Sequence, residues 1–184
     1  ENTTIVEGAG TGEAIDGRAD WDIVLVDAAA TGHVIAQLGA PDAIRDLVAA
    51  YAHLADHGRL DELVHLFIEG GSLQIDGRPP LTGRRAIQDF LRGTNVDLRA
   101  ATTAQLIRHH TSNLHITLAG QDHGGGRCYF LVLTERGLDH WGRYRDTYVR
   151  DGDRWSFGQR HVRVEGMAAG SWAAKRRARP GAGT

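Results

Sequence analysis

Residues 140–165, HWGRYRDTYVRDGDRWSFGQRHVRVE, predict two long strands joined by a tight turn. Asp151-Gly152-Asp153 has the residue types of a hairpin connection. Residues 119–126 have the same character and connect an earlier pair of strands. Consecutive strands joined in this way are expected to lie antiparallel. The four predicted strands are 105–118, 127–135, 140–150 and 154–165.

Apolar residues recur at helical spacing before these strands. Asp42 is a favourable N-cap for a first helix, which Gly58 ends. Its apolar stripe consists of Ile44, Leu47, Val48, Tyr51 and Leu54. A second stripe, Leu60, Leu63, Val64 and Phe67, predicts another helix that Gly70-Gly71 interrupts. A short strand at 72–75, a turn at 76–80 and a third helix at 84–91, closed by Gly93, complete the expected order.

The chain is expected to have three parts. Residues 1–41 form a partly ordered N-terminal extension, with a buried strand at 21–27 and a short helix at 34–38. Residues 42–166 form the domain. Residues 167–184 are expected to be a basic, flexible tail, since Lys175, Arg176, Arg177 and Arg179 lie among Ala, Gly and Pro.

The composition points away from several classes of partner. The formal net charge of −2 gives no support for nucleic-acid binding. The lone Cys128 excludes an internal disulfide framework and fits a reducing cytosol. No run approaches the roughly 18 apolar residues of a membrane span, and residues 1–4 lack the pattern of a signal peptide. We therefore expect a cytoplasmic protein that has neither a nucleic-acid nor a membrane partner.

The local sequences resemble those of a known family. The segments concerned are 51–56, 60–67, 83–91, 108–113, 142–148 and 154–157. They resemble SnoaL-like polyketide cyclases and scytalone dehydratases of the nuclear transport factor 2-like superfamily, over about two thirds of the chain. The resemblance implies an α+β fold, in which a cone-shaped, strongly bent antiparallel sheet packs around the N-terminal helices and leaves a pocket at one end. It also implies a homodimer, since homodimers are common among these relatives.

A catalytic pair is implied by the same resemblance. In the dehydratases an aspartate near the end of the first helix orients a strand histidine that acts as a base, and Asp56 and His110 match those positions. Ala55 stands where the dehydratases often have tyrosine, and their second histidine or asparagine has no clear counterpart.

Alternation along the strand adds a second argument for His110. One face would carry Leu106, Arg108, His110, Ser112, Leu114, Ile116 and Leu118. The apolar members direct that face to the core, so His110 is expected inside, and His109 and Asn113 outside. The competing interpretations are a core histidine satisfied by another partner and an exposed Asp56.

Four further residues are candidates for contact with a substrate. Tyr51 and Tyr144 would donate to a substrate carbonyl, Arg108 would contact an anionic group, and Trp141 would line the pocket mouth. Ordinary packing is the alternative for each aromatic residue. His53 and His57 have the i, i+4 spacing of metal ligands, but a third ligand is not evident. We therefore predict neither a metal nor a cofactor.

The N-terminal region carries two other patterns. Residues 8–13 are glycine-rich but lack the Lys-Ser/Thr of a phosphate-binding loop. Residues 20–33 resemble a segment of anion-transporting ATPases related to the arsenite pump, without the nucleotide-binding lysine. We interpret this stretch as a remnant or fusion without ATPase activity.

These features favour a cofactor-independent lyase, isomerase or cyclase acting on a small hydrophobic carbonyl or hydroxyl compound. His110 would remove a proton, Asp56 would orient it, and a tyrosine or Arg108 would steady the developing oxyanion. The alternative is a module that binds a small ligand, or that dimerises, without chemistry.

Overall fold

The computed structural model describes the backbone of residues 28–101 and 106–177, and the side chains of 39–97 and 106–175. The chain divides into two compact units, residues 1–39 and 40–184, and the sheet belongs to the second unit. The predicted strand at 21–27 and most of the ATPase-like segment lie outside the described residues. The helices are α1 (Ala28–His57), α2 (Leu60–Leu63), α3 (Arg84–Ala101) and α4 (Trp172–Arg177), with a 3-10 turn at Val64–Leu66. The strands are β1 (Phe67–Ile75), β2 (Leu81–Thr82), β3 (Ile107–Leu118), β4 (His123–Thr134), β5 (Gly137–Asp151) and β6 (Arg154–Met167).

The six strands form one strongly curved sheet in the order β2-β1-β6-β5-β4-β3. Strands β3 to β6 are antiparallel neighbours, which confirms the prediction from the sequence. β1 adds to the other side of β6 as a parallel strand, and β2 pairs with β1. The predicted α+β class and the bent sheet are therefore confirmed.

Helix α1 presents its apolar stripe to the sheet. Ile44, Val48 and Tyr51 are buried, and the Tyr51 ring packs edge-on against Phe67 and Phe157. The end of the helix is as predicted, because Gly58 adopts a φ of 68°, which closes the helix with bonds back to the carbonyls of residues 54 and 55. This ending fixes where the last turn of α1, which carries Asp56, meets β3.

The predicted start of this helix is wrong. Asp42 is not the N-cap, because α1 already begins at Ala28 and passes through Pro41. The proline removes one backbone donor without ending the helix. The Asp42 carboxylate pairs instead with Arg45 at 2.7 Å, on the exposed surface.

The second predicted helix is also shorter than expected. It consists of α2 and the 3-10 turn, and β1 begins at Phe67 because that side chain belongs to the sheet core. Gly70-Gly71 does not end a helix; the two glycines lie within β1, where the register between β1 and β6 shifts. A side chain at Gly71 would come within 3.1 Å of the Phe157 carbonyl, which explains the glycine there.

Two elements extend beyond their predicted ends. Helix α3 continues past Gly93 to Ala101, and its added turns bring Thr94 and Asn95 to a cavity inside the fold. An isolated glycine costs a helix only about 1 kcal/mol, which such contacts offset. Within the predicted tail of 167–184, residues 172–177 form α4, and residues 178–184 lie outside the described residues. Of the helices among the described residues, none combines the length and the apolar character needed to cross a membrane.

Candidate active site

A cavity of about 510 Å³ lies between the helices and the inner face of the sheet. Aliphatic and aromatic side chains make most of its wall, among them Leu73, Phe90, Ile107, Phe130, Val162 and Trp172. Its polar groups come from several separate elements: Tyr51 on α1, Asp76 and Arg78 in the turn after β1, Thr94 and Asn95 on α3, His109 on β3, and His140 and Tyr144 on β5. An apolar chamber with a few convergent polar groups is the usual form of a small-molecule site.

Asp56 and His109 form a hydrogen-bonded pair at the cavity wall. The Asp56 carboxylate lies 2.6 Å from His109 Nδ1 and also accepts the His109 backbone N–H, at 3.0 and 3.2 Å. Both side chains are largely buried, with 6% of the Asp56 side chain and 19% of the His109 side chain exposed. Because the carboxylate accepts from both the ring and the backbone of one residue, the imidazole is fixed in orientation. A neutral His109 then carries its proton on Nδ1, which leaves Nε2 as the basic nitrogen.

His110 does not face the interior, so the prediction of its position is wrong. It is exposed on the outer side of the sheet, and Asp56 contacts His109 instead. The reason is a bulge in β3: the register with β4 shifts between Ser112 and His115, and Asn113 has a φ of 55°. An extra residue in one strand inverts which residues face inward. The predicted alternation of inward-facing residues is therefore correct after the bulge, at Leu114, Ile116 and Leu118, and inverted before it.

A second carboxylate–imidazole pair faces the same cavity. Asp139 Oδ1 lies 2.8 Å from His140 Nδ1, and His140 is one of the lining residues. Asp139 is only 3% exposed and also accepts the backbone N–H groups of Trp172, at 2.7 Å, and Ala173, at 3.2 Å. Sequence reasoning missed this pair. Strand alternation offered a signal for it, since His140 lies four residues before Tyr144 and so shares its face.

Several hydrogen bonds stabilise the ionised form of Asp139. Burial by itself raises the pKa of this carboxyl, but the bonds from His140, Trp172 and Ala173 outweigh burial and lower the pKa. Asp139 is therefore a carboxylate that holds a ring and a helix start together.

The predicted tyrosines do line the cavity. Tyr51 and Tyr144 are both buried, and their rings contact one another edge-on. Burial raises the pKa of Tyr51 and of Tyr144, although the nearby Arg160 lowers both in part. Both hydroxyls consequently stay protonated and can donate a hydrogen bond to a bound oxygen.

Arg108 and Trp141 are not among the residues that line the cavity. The Arg108 side chain is exposed, and its guanidinium donates to the carbonyl of Ile107 at 2.7 Å. Like His110, Arg108 lies before the bulge and on the outer side of β3. Trp141 is 38% exposed and covers Gly166, where an added Cβ would meet its ring at 2.3 Å. The predicted substrate contacts of these two residues therefore have no support in the cavity geometry.

A fully buried ion pair lies behind the two tyrosines. Arg160 donates to Asp146 through Nε, at 3.0 Å, and Nη2, at 2.8 Å, and both side chains have no exposed area. The guanidinium also lies 4.2 Å from each of the ring centres of Tyr51, Tyr144 and Phe157. The ion pair thus forms a rigid base for the tyrosines of the cavity.

The paired histidines of α1 have no third metal ligand beside them among the described residues. His57 Nδ1 lies 2.7 Å from the carbonyl oxygen of His53. Throughout the part of the chain that the structure describes, no group of three His, Cys, Asp or Glu side chains is placed to hold a metal ion.

Comparison with known structures places this arrangement in a class of proteins. A nuclear transport factor 2-like protein with a cystatin-like fold, from Novosphingobium aromaticivorans, is 26% identical, with 84% of this chain and 98% of that chain covered and a TM-score of 0.66. A scytalone dehydratase candidate from the same organism is 25% identical, with 73% and 90% covered and a TM-score of 0.63. A protein from Catenulispora acidiphila in complex with S-DNPA is also 25% identical, with 70% and 95% covered and a TM-score of 0.59. No match was found among curated proteins.

The curved sheet and its interior cavity thus define a pocket protein of the nuclear transport factor 2-like class. The SnoaL-like domain family matches residues 36–161, and the chain belongs to that family. The match spans Asp56 and His109, and also Asp139 and His140.

Proposed function

We propose that the protein is a cofactor-independent lyase, isomerase or cyclase that performs acid–base chemistry on a small hydrophobic carbonyl or hydroxyl compound. The observation that carries this proposal is the Asp56–His109 pair, whose imidazole faces an apolar cavity. An imidazole oriented by a carboxylate is suited to act as a general base near neutral pH. His109 takes the role that the sequence had assigned to His110.

The geometry suggests a division of roles. His109 Nε2 removes a proton from a carbon next to a carbonyl, while Asp56 holds the ring and stabilises the imidazolium that results. A hydroxyl of Tyr51 or Tyr144 donates to the oxyanion that develops on the substrate. His140 offers a second imidazole in the same cavity, for delivering a proton to the product or leaving group. The scytalone dehydratase candidate and the complex with S-DNPA among the similar structures support a small-molecule site of this kind.

Solvent deuterium exchange tests this proposal without knowledge of the natural substrate. The protein is incubated in D₂O with cyclic ketones and hydroxylated aromatic ketones, and deuterium at the carbon next to the carbonyl is followed by ¹H NMR. We expect exchange with the native protein for some of these compounds, and its loss in His109→Ala. The His110→Ala variant is the matched control, since its side chain lies on the outer face. Because His110 is the register partner of Leu131 on that face, the oligomeric state of His110→Ala is measured alongside. Exchange that survives in His109→Ala would contradict the proposal, whereas binding without exchange would favour a ligand-binding module.

We also propose that the outer face of the sheet pairs two copies of the chain. Leu131 and Trp141 are register partners on β4 and β5, and Tyr129 lies two residues before Leu131 on the same face. These side chains are 37%, 38% and 53% exposed, which is unusual for large apolar groups gathered on one surface. A second copy of the same face would cover them.

Leu131→Glu is expected to convert this homodimer to a monomer, because a carboxylate on each copy would be buried in the interface. Light scattering after size-exclusion chromatography measures the change, with Ala49→Glu as a control at an exposed position on α1. A dimer that persists in Leu131→Glu at micromolar concentration would place the interface elsewhere.

A further inference from the structure

We propose that helix α4 is a wall of the ligand cavity and that Asp139 is the positioning residue that holds it, so that the seating of Trp172 is coupled to the orientation of His140. This inference concerns ligand enclosure and goes beyond the proposed chemistry. It requires only that the cavity binds a ligand, not that the protein turns one over.

The carboxylate of Asp139 connects two different elements. Its Oδ2 accepts the Trp172 N–H, and its Oδ1 accepts both the Ala173 N–H and His140 Nδ1. The backbone carbonyl of Asp139 accepts a further bond from the Ala168 N–H, at 2.8 Å, in the segment that leads to α4. One residue of β5 therefore fixes both the approach to the helix and its first turn.

The first turn of α4 forms part of the cavity surface. Trp172 and Ala173 both line the cavity, and the Trp172 ring lies 6.1 Å from the His140 ring, centre to centre. His140 in turn packs edge-on against Phe130, at 5.9 Å. A ligand that contacts His140 is therefore expected to contact Trp172 as well.

The coupling follows from the hydrogen-bonding chemistry of the carboxylate. Asp139 is buried and accepts from three donors, and those bonds keep the pKa of the carboxyl low. In Asp139→Asn one oxygen becomes an amide nitrogen, which donates and cannot accept. Whichever way the amide turns, it opposes a backbone donor of α4, His140 Nδ1, or both. The variant, a change of nearly equal size, therefore loosens the helix start in either orientation. Where the amide nitrogen takes the place of Oδ1, it also removes the acceptor of His140 Nδ1.

The test uses the full chain labelled with 5-fluorotryptophan, with the Trp172 resonance assigned by comparison with Trp172→Phe. The neutral probe 2-naphthol reports on binding to the cavity. In Asp139→Asn we expect the Trp172 ¹⁹F resonance to move toward its value in the unfolded protein, and 2-naphthol affinity to fall at least about tenfold. The His140 ring ¹⁵N shifts should also move from their native values, because Nδ1 loses its charged acceptor whichever way the amide turns; a purely structural role for Asp139 would not require this change. Asp151→Asn, the same charge change at the exposed end of β5, is the matched control.

The inference is overturned if Asp139→Asn matches Asp151→Asn in the ¹⁹F resonance and in 2-naphthol affinity. Trp172→Ala provides a second test that leaves Asp139 intact. It is expected to weaken 2-naphthol binding by opening the wall, and unchanged affinity would show that α4 is not part of the binding surface. A native protein that binds 2-naphthol but exchanges no deuterium would remove the proposed catalysis and leave this inference standing.

Discussion

Replacing Asp146 with alanine is expected to lower the free energy of unfolding by about 3–5 kcal/mol, a large part of the stability of a domain of this size. The change would leave the Arg160 guanidinium without its counter-ion, and the charge would stay buried because neither side chain has any exposed area. Two charged hydrogen bonds to Asp146 and one from the Tyr148 hydroxyl, at 3.2 Å, would be lost together. Urea unfolding followed by far-ultraviolet circular dichroism measures the effect.

A paired replacement distinguishes an unpaired charge from a simple loss of packing. Asp146→Leu with Arg160→Met removes both charges and fills similar volumes, so it should be less destabilising than Asp146→Ala alone. Asp153→Ala is the surface control, because that side chain is fully exposed and its contact with Arg150 is 3.5 Å long. A loss below about 1 kcal/mol in Asp146→Ala would contradict the account of the buried pair.

His109→Ala is expected to lower kcat/KM by about 10²–10⁴-fold for any substrate that the native protein turns over. The loss in kcat/KM comes from removal of the general base. Asp56 is not left unpaired, because the backbone N–H of residue 109 still donates to its carboxylate in the variant. His110→Ala should change kcat/KM by no more than a few-fold, since that ring is exposed on the other side of the sheet. Steady-state kinetics with the best compound from the deuterium-exchange screen gives both values.

The adjacent histidines make this comparison unusually sharp, because the two variants have the same composition and differ by one position. Equal losses in both variants would point to damage to β3 rather than to removed chemistry. A larger loss in His110→Ala would restore the role that strand alternation first gave to His110, and would show that the placement of the catalytic histidine by the bulge is wrong.

The sequence alone predicted the order of the main elements well. The α1 stripe through Ile44, Val48 and Tyr51 and the four antiparallel strands depend on local periodicity and turn residues, which a sequence displays directly. Asp56 was singled out on the resemblance to known dehydratases, and its carboxylate lies against His109 in the structure. The error at His110 has one local cause, since nothing in the alternation before Asn113 reveals an added residue. The inward-facing histidine is His109, the neighbour of the predicted His110.

The remaining features depend on contacts between distant parts of the chain. Asp139 and Trp172 meet because the chain after β6 returns to β5, and no local pattern indicates that return. The pairing of Asp146 with Arg160 likewise depends on the β5–β6 register. Alternation can show that such residues point inward, but not which partner each one meets.

Side-chain ¹⁵N NMR of the histidines tests whether Asp56 orients His109 at the cavity. The native protein and Asp56→Asn are compared near neutral pH, with His109→Gln and His110→Gln used to assign the two rings. We expect native His109 to have the Nδ1–H tautomer with a slowly exchanging proton, both properties to be lost in Asp56→Asn, and His110 to be unaffected. A His109 spectrum that is the same in both proteins, or a response confined to His110, would contradict the orientation of His109 by Asp56.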